Sequence, residues 1–223
     1  VTDHKSRARF MTYDIAPYLK AGENVLALWL GTSWSIFPAY QQEGRPAIPM
    51  ALAQAEITLS SGRKLRVVTD DSWKTHASSN TLMGYWDAHH FAGEFQDASL
   101  EIEGWNETDF DDSAWAGVKV YQPQIVVSAD KTQPNRLMEE IRPLSVKEVK
   151  PGVYRVDMGI NYAGWFEMQL TGQPGDSIVF RFSEREKDVC SYGIHSIYKV
   201  GPGGKGTFCN RFNYMTGRWV QIT

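Results

Sequence analysis

Cysteine is scarce in this 223-residue chain: only Cys190 and Cys209 are present, so no disulfide framework can stand in for a core and the fold must rest on buried apolar surface. The two can form one bridge in an oxidising compartment or remain two thiols, and the count leaves both open. Also missing is any run approaching the ~18 apolar residues of a membrane-spanning helix, so no membrane partner is expected. Charge of one sign is lacking too. Lys and Arg number 23 against 26 Asp and Glu, a net charge of −3 with the signs interleaved, and without a basic face to attract phosphates nucleic acid is not an expected partner. Helical periodicity is almost absent. No methionine starts the chain, and Val1-Thr2-Asp3 has neither the charged start nor the apolar middle of a signal peptide. The expectation is a segment internal to a longer protein, with a periplasmic or extracellular address slightly favoured over a cytoplasmic one.

What is present is ordinary in bulk, 42% hydrophobic and 22% charged, and long enough for two modest domains that each bury a core. Aromatic content is less ordinary, 13% with eight tryptophans. Flat rings stack on the C–H faces of sugars, although filling a sandwich core is their commoner use.

Short stretches alternate apolar and polar residues between Gly, Pro, Asn and Asp clusters, the pattern of antiparallel sheets with one wet face. Met11, Tyr13 and Ile15 alternate; Asp14 can cap a single turn ending at Gly22, and Val25 to Leu30 has the density of a central strand. Ala53, Ala55, Ile57 and Leu59, then Ser60-Ser61-Gly62-Arg63, then Leu65 and Val67 predict a hairpin. Between Trp105 and Trp115 the Asn and Asp residues can close Asx turns while the rings anchor the loop. The pattern fades from about Gln122 to Glu140, which places a domain connection near Lys131 and gives domains 1–130 and 131–223. It then resumes in Val153 to Met158, Phe166 to Leu170, Ile178 to Phe182 and Arg218 to Thr223. Gly201-Pro202-Gly203-Gly204-Lys205-Gly206 lacks the spacing of a phosphate loop and reads as a flexible hairpin tip. The fold class is all-β, two tandem antiparallel β-sandwiches of jelly-roll type.

Several motifs carry a resemblance. Tyr13-Asp14-Ile15-Ala16-Pro17-Tyr18-Leu19-Lys20-Ala21-Gly22-Glu23-Asn24-Val25-Leu26, Thr69-Asp70-Asp71-Ser72-Trp73-Lys74 and Phe110-Asp111-Asp112-Ser113-Ala114-Trp115 together resemble the N-terminal jelly-roll domain of bacterial α-L-rhamnosidases. Asp157-Met158-Gly159-Ile160-Asn161-Tyr162-Ala163-Gly164-Trp165, Arg181-Phe182-Ser183-Glu184 and Phe212-Asn213-Tyr214-Met215-Thr216-Gly217-Arg218-Trp219-Val220 resemble that family's concanavalin-like domain. The resemblance implies a galactose-binding-like first domain truncated at its N-terminus, and a separate (α/α) barrel of the same parent protein that cleaves terminal α-L-rhamnose from a rhamnose-containing glycoside. Two of the earlier motifs also occur in β-galactosidase-like glycosidases. Accessory domains of such an enzyme, or an independent carbohydrate-binding module, are therefore the alternatives.

Glycoside hydrolysis needs two carboxyl groups roughly 5 to 9.5 Å apart. Asp70, Asp71, Asp109, Asp111 and Asp112 sit in turn-like sequence where capping backbone N–H groups is the commoner employment. The resemblance places the acid and base in the barrel, so no catalytic residue is assigned here. Asp87, His89, His90 and Glu94 combine metal-binding types, but adjacent histidines on an extended strand point to opposite faces, and no metal is predicted. Some related jelly rolls bind rhamnose through calcium, with Asp3 and Glu94 at positions resembling the acidic loops. Where their pattern reads Asn-Asp-x-Tyr-Asp-Gly-Glu, this chain has Ala88-His89-His90-Phe91-Ala92-Gly93-Glu94 and lacks oxygen donors, so no cofactor is assigned. Asp3, His4, Trp34, Tyr40, Trp86 and Glu94 are the candidates for a shallow sugar-contacting or barrel-facing surface. Around Asn161 and Trp165 the expectation is a tight turn with Trp covering a sandwich edge, Gly159 and Gly164 supplying unusual backbone angles. There is no Gly-x-Ser-x-Gly, and Cys190 and His195 have no third member of a nucleophile set.

Overall fold

The computed structural model describes residues 7–31, 49–83, 93–122, 124–133 and 136–223. Among them the regular elements are β-strands and two short 3₁₀ turns, Ala16–Tyr18 and Ala98–Leu100, and no helix is long and apolar enough to cross a membrane. The chain forms two compact units, Val1–Ala77 with Ile102–Arg136, and Ser78–Glu101 with Leu137–Thr223. The units are thus discontinuous in sequence: a stretch of 24 residues from the first half is built into the second unit.

Among its described residues the first unit holds three two-stranded ladders. Strand β1 (Arg7–Phe10) runs parallel to β8 (Val126–Ala129). The expected hairpin is present as β2 (Gln54–Thr58) against β3 (Lys64–Val68), its turn closed by the Leu59 N–H to the Arg63 carbonyl at 2.9 Å and by Gly62, whose φ of 80° only glycine adopts without strain. A short β4 (Lys74–Thr75) pairs with β7 (Ala116–Gly117). Asp14 accepts a hydrogen bond from the Ala16 N–H at 3.0 Å, an Asx turn ahead of the helical turn; that turn has Ile15 at its N-cap and spans only Ala16–Tyr18, short of the expected Gly22. Val25 to Leu30 differs from expectation. No strand is formed there, and Leu28 and Trp29 stay 38% and 40% exposed, because apolar density makes a strand only where a ladder partner supplies its hydrogen bonds.

The second unit is a sandwich. Its large layer has seven strands in the order β5-β6-β13-β12-β15-β10-β9, with β5 (Asn80–Leu82), β6 (Glu94–Asp97), β9 (Ser145–Lys150), β10 (Val153–Gly164), β12 (Ser177–Ser183), β13 (His195–Lys199) and β15 (Met215–Ile222). All its ladders are antiparallel except β6 to β13. The small layer is β11 (Glu167–Thr171) against β14 (Lys205–Cys209). Between the layers lie Val156, Phe166, Phe180, Phe182, Phe208, Met215 and Val220. Phe180 stacks on Phe208 at 4.6 Å between centroids, and Phe166 meets Phe180 and Phe182 at 5.7 and 5.6 Å. Each such ring contributes about 1.5–3 kcal/mol by leaving water. The 201–206 stretch is a correction. It joins β13 of one layer to β14 of the other and is therefore a corner, and a Cβ on Gly201 would stand 2.9 Å from the Ala98 carbonyl oxygen. Glycine is required there by close approach, and a free-standing tip would not demand it.

Candidate functional site

Glu94 opens β6 just after Gly93, where a side chain would collide with the His195 carbonyl oxygen at 2.3 Å. Glycine lets β6 come close enough to β13 for the Gly93 N–H to donate to that carbonyl at 2.7 Å. The Glu94 N–H donates to Ser196 Oγ at 3.2 Å. This geometry drives the Glu94 side chain inward, where it is 1% exposed. Its Oε1 accepts the N–H groups of Arg211, Phe212 and Asn213 at 2.9, 2.7 and 2.9 Å, and its Oε2 faces the Arg211 N–H at 3.0 Å and Asn80 Nδ2 at 3.3 Å. Three successive backbone donors converging on one buried carboxylate make an anion nest filled from within the chain.

Asn210 completes the brace. Fully buried, it accepts the Phe166 N–H at 3.2 Å through Oδ1 and donates through Nδ2 to Asn213 Oδ1 at 3.3 Å. Residues 210–214, which carry the chain from β14 to β15, are thereby held from below by side chains 94, 210 and 213. Tyr214, at the end of this loop, is 65% exposed, as is Trp165 just after β10. Trp165 therefore does not cover the sandwich edge; Phe166, its neighbour in sequence, turns into the core instead.

A second polar knot stands on β10 and β15. Arg218 Nε and Nη2 donate to the two carboxylate oxygens of Asp157 at 2.7 and 3.0 Å, the guanidinium lying 5.0 Å from the Trp219 ring centre. Asp157 Oδ1 also accepts the Gly159 N–H at 2.8 Å, closing the bulge between Asp157 and Tyr162. The Arg218 hydrogen bonds hold the Asp157 carboxyl below the ordinary carboxylate range. Here Gly159 has the expected positive φ, 81°, while Gly164 does not.

Of the turn aspartates named from the sequence, Asp70 and Asp111 cap backbone, and Asp130 does the same. Asp70 accepts the Ser72 hydroxyl and N–H at 2.5 and 3.0 Å, Asp111 the Ser113 N–H at 2.9 Å, and Asp130 the Thr132 N–H at 2.9 Å. Those donors lower all three carboxyl pKa values. Asp112 meets Lys74 Nζ at 2.7 Å, and Asp97 accepts the Ser99 hydroxyl and Lys199 Nζ at 2.5 and 2.9 Å. Cys190 and Cys209 are both free thiols, and burial pushes both up from the ordinary thiol range.

Of the sequence candidates, Asp3, His4, Trp34, Tyr40 and Trp86 lie outside the described residues, as do Asp87, His89 and His90. Glu94 is described, and it is placed beneath a loop with its carboxylate given to backbone donors, so it presents no open face to a sugar. The roles of Asn210 and Asn213 were not read from the sequence. The signal available was two asparagines three residues apart between two apolar strands, where amide side chains serve turns.

The family models divide the chain in two. Residues 1–139 match the α-L-rhamnosidase N-terminal domain and residues 147–223 the bacterial α-L-rhamnosidase concanavalin-like domain. The chain belongs to the bacterial α-L-rhamnosidase family. Within that family it is 29% identical over 239 residues to an α-L-rhamnosidase of Streptomyces avermitilis, covering all of this chain and 22% of that protein, and 28% identical over 187 residues to one of Alteromonas sp. (strain LOR), covering 82% and 20%. This rhamnosidase-family chain thus spans about a fifth of the length of those relatives. Among solved structures, the α-L-rhamnosidase from Dictyoglumus thermophilum superposes with a TM-score of 0.79 at 24% identity, covering all of this chain and 25% of that one. The Streptomyces avermitilis enzyme complexed with L-rhamnose gives 0.78 at 23% identity, over all of this chain and 22% of that one. Both show the shared β-sandwich fold.

Proposed function

We propose that this chain is the non-catalytic β-domain portion of a glycoside hydrolase that removes terminal α-L-rhamnose from glycosides, supporting chemistry carried by an (α/α) barrel of the same parent protein. The observation that carries the reading is the employment of the carboxylates. Asp70, Asp97, Asp111 and Asp130 cap turns, Asp157 grips Arg218, and Glu94 is enclosed by backbone donors. A glycosidase needs one carboxyl protonated as an acid and a second free as base or nucleophile, facing each other across open space. Carboxylates whose pKa values are lowered by turn donors are poorly suited to the acid role. The short span relative to the α-L-rhamnosidases it matches supports the same reading.

Asp3, His4, Trp34, Tyr40 and Trp86 remain the proposed sugar-contacting or barrel-facing surface, and Glu94, given over to the amides of residues 211–213, is left out of it. The test is hydrolysis of p-nitrophenyl α-L-rhamnoside by this chain and by the longer gene product. The expected result is release of nitrophenol by the longer protein alone; turnover by the 223 residues themselves would overturn the proposal.

A further inference from the structure

We infer that the outer face of the seven-stranded sheet binds a linear acidic glycan, through a row of cationic side chains that crosses five strands. Register assembles the row from residues far apart in sequence. Lys147 on β9 is opposite Arg155 on β10, Arg155 opposite Gln221 on β15, Gln221 opposite Arg181 on β12, and Arg181 opposite His195 on β13. Alternation fixes the side on which they stand. Val156, Phe182, Ile222 and Ser196, their neighbours along the strands, are all buried, so Arg155, Arg181, Gln221 and His195 leave by the opposite face. Lys147, exposed, shares that face as the cross-strand partner of Arg155. With neighbouring strands about 4.8 Å apart, the row is roughly 19 Å long.

In a chain of net charge −3, this face is locally positive. Two of its carboxylates are already engaged, Asp97 by Lys199 and Asp157 by Arg218. Among the described residues no ion pair includes Lys147, Arg155 or Arg181. Neutral oxygens hold the two guanidinium groups instead: Arg155 donates to the Glu186 carbonyl and to Gln221 Oε1 at 3.4 Å, and Arg181 to the Thr223 hydroxyl at 2.9 Å. Such bonds aim a cation without cancelling its charge. Like charges directly across a ladder destabilise a sheet, and Arg155 stands opposite Lys147. A line of anions laid across the strands relieves that repulsion.

Charges spaced one strand apart along a straight line suit a ligand that is itself a chain with anions at intervals. Guanidinium groups grip planar or tetrahedral oxyanions at two points, so the shared chemistry is the carboxylate or sulfate of an acidic sugar. Gln221, between the two arginines, offers an amide to sugar hydroxyls. On the next row Trp219, opposite Asp157 and Ser183, adds a flat apolar ring to the same face for sugar C–H groups.

The test is calorimetric titration of this chain with a carboxylated chain (oligogalacturonate), a sulfated one (dextran sulfate) and neutral dextran, at about 50 mM and about 500 mM salt. The expected result is salt-sensitive binding of an acidic glycan and none of neutral dextran. Binding of oligogalacturonate assigns the row to carboxylates, and binding of dextran sulfate alone assigns it to sulfates. Arg155→Gln/Arg181→Gln should bind at least about tenfold more weakly. Lys147→Gln, at an exposed strand position, guards against a folding defect and should weaken binding about threefold. Lys64→Gln/Arg66→Gln removes the same charge from β3 and should leave affinity unchanged. Absence of binding by the parent chain, full affinity in Arg155→Gln/Arg181→Gln, or an equal loss in the β3 variant overturns the inference. So does equal affinity for a DNA duplex, or self-association of the parent chain that Arg155→Gln/Arg181→Gln abolishes, which assigns the row to an acidic face of a second copy. Binding is read without turnover, so each of these outcomes leaves the hydrolase reading standing.

Discussion

The two units share one sequence style and reach different ends. Both alternate apolar and polar residues, yet in the second unit Phe180, Phe208 and Met215 are fully buried, whereas in the first no described residue is buried, and Val67, on a well-formed hairpin, stays 40% exposed. The difference lies in what faces each strand. The second unit opposes a seven-stranded sheet to a two-stranded one, while the described ladders of the first are isolated pairs, which are marginal in water without a covering layer. Period-two alternation therefore fixes which side of a strand is apolar and leaves open whether anything covers it.

The strongest way to break this comparison is to cut the chain where the sequence pattern fades. A fragment of residues 131–223 lacks β5, β6 and Glu94, exposing the edge of β13 and leaving the amides of Arg211, Phe212 and Asn213 without their acceptor. It should show no cooperative thermal unfolding by circular dichroism, and a fragment beginning at Ser78 should recover the transition. A sharp melt of 131–223 alone would mean that residues 78–101 do not belong to the second unit's stable core.

Next in size, Phe180→Ala should cost about 3–5 kcal/mol in urea unfolding, since it empties the centre of a packed aromatic cluster. Val67→Ala, on the half-open face of β3, should cost less than about 1 kcal/mol. Equal losses would show that the first unit has a covered core after all.

Glu94→Ala should follow at about 2–4 kcal/mol, because it removes the buried carboxylate that accepts the backbone donors of the 211–213 loop. Hydrogen exchange at Arg211, Phe212 and Asn213 should accelerate more than at the β12 amides. Uniform acceleration would instead mark a global loss of stability, with no local clamp.

The fold class was legible because strand alternation and Gly, Asn and Asp punctuation are local signals. The β2–β3 hairpin and the Asp111 turn came directly from them. What was not legible depends on partners distant in sequence. Glu94 meets Arg211 at a separation of 117 residues, β6 joins β13 in parallel, and β14 leaves the layer of β13 for that of β11. A polar residue before a strand reads the same whether it ends in solvent or under a loop, so Glu94 was read as surface. Trp165 failed in the opposite direction: ring size suggests that it covers a sandwich edge, yet Phe166 turns into the core and Trp165 stays 65% exposed.

The smallest effect compares one chemistry in both units. Asp157 in the second unit and Asp111 in the first each accept a backbone N–H two residues on, but only Asp157 is gripped by a guanidinium. Folding lowers the pKa of both, through Arg218 for Asp157 and through Ser113 for Asp111. A carboxyl lowered by folding stabilises the native state above its unfolded pKa of about 3.9, and that contribution is lost as pH falls through the folded value. Asp157→Asn should therefore cost about 1–2 kcal/mol at pH 7, and the gap to the parent chain should close as pH falls below about 4. Asp111→Asn should follow the same course with a smaller amplitude, because its donors are exposed and water can replace them. A gap for Asp157→Asn that stays constant down to pH 2 would show that the amide loses shape complementarity and not charge.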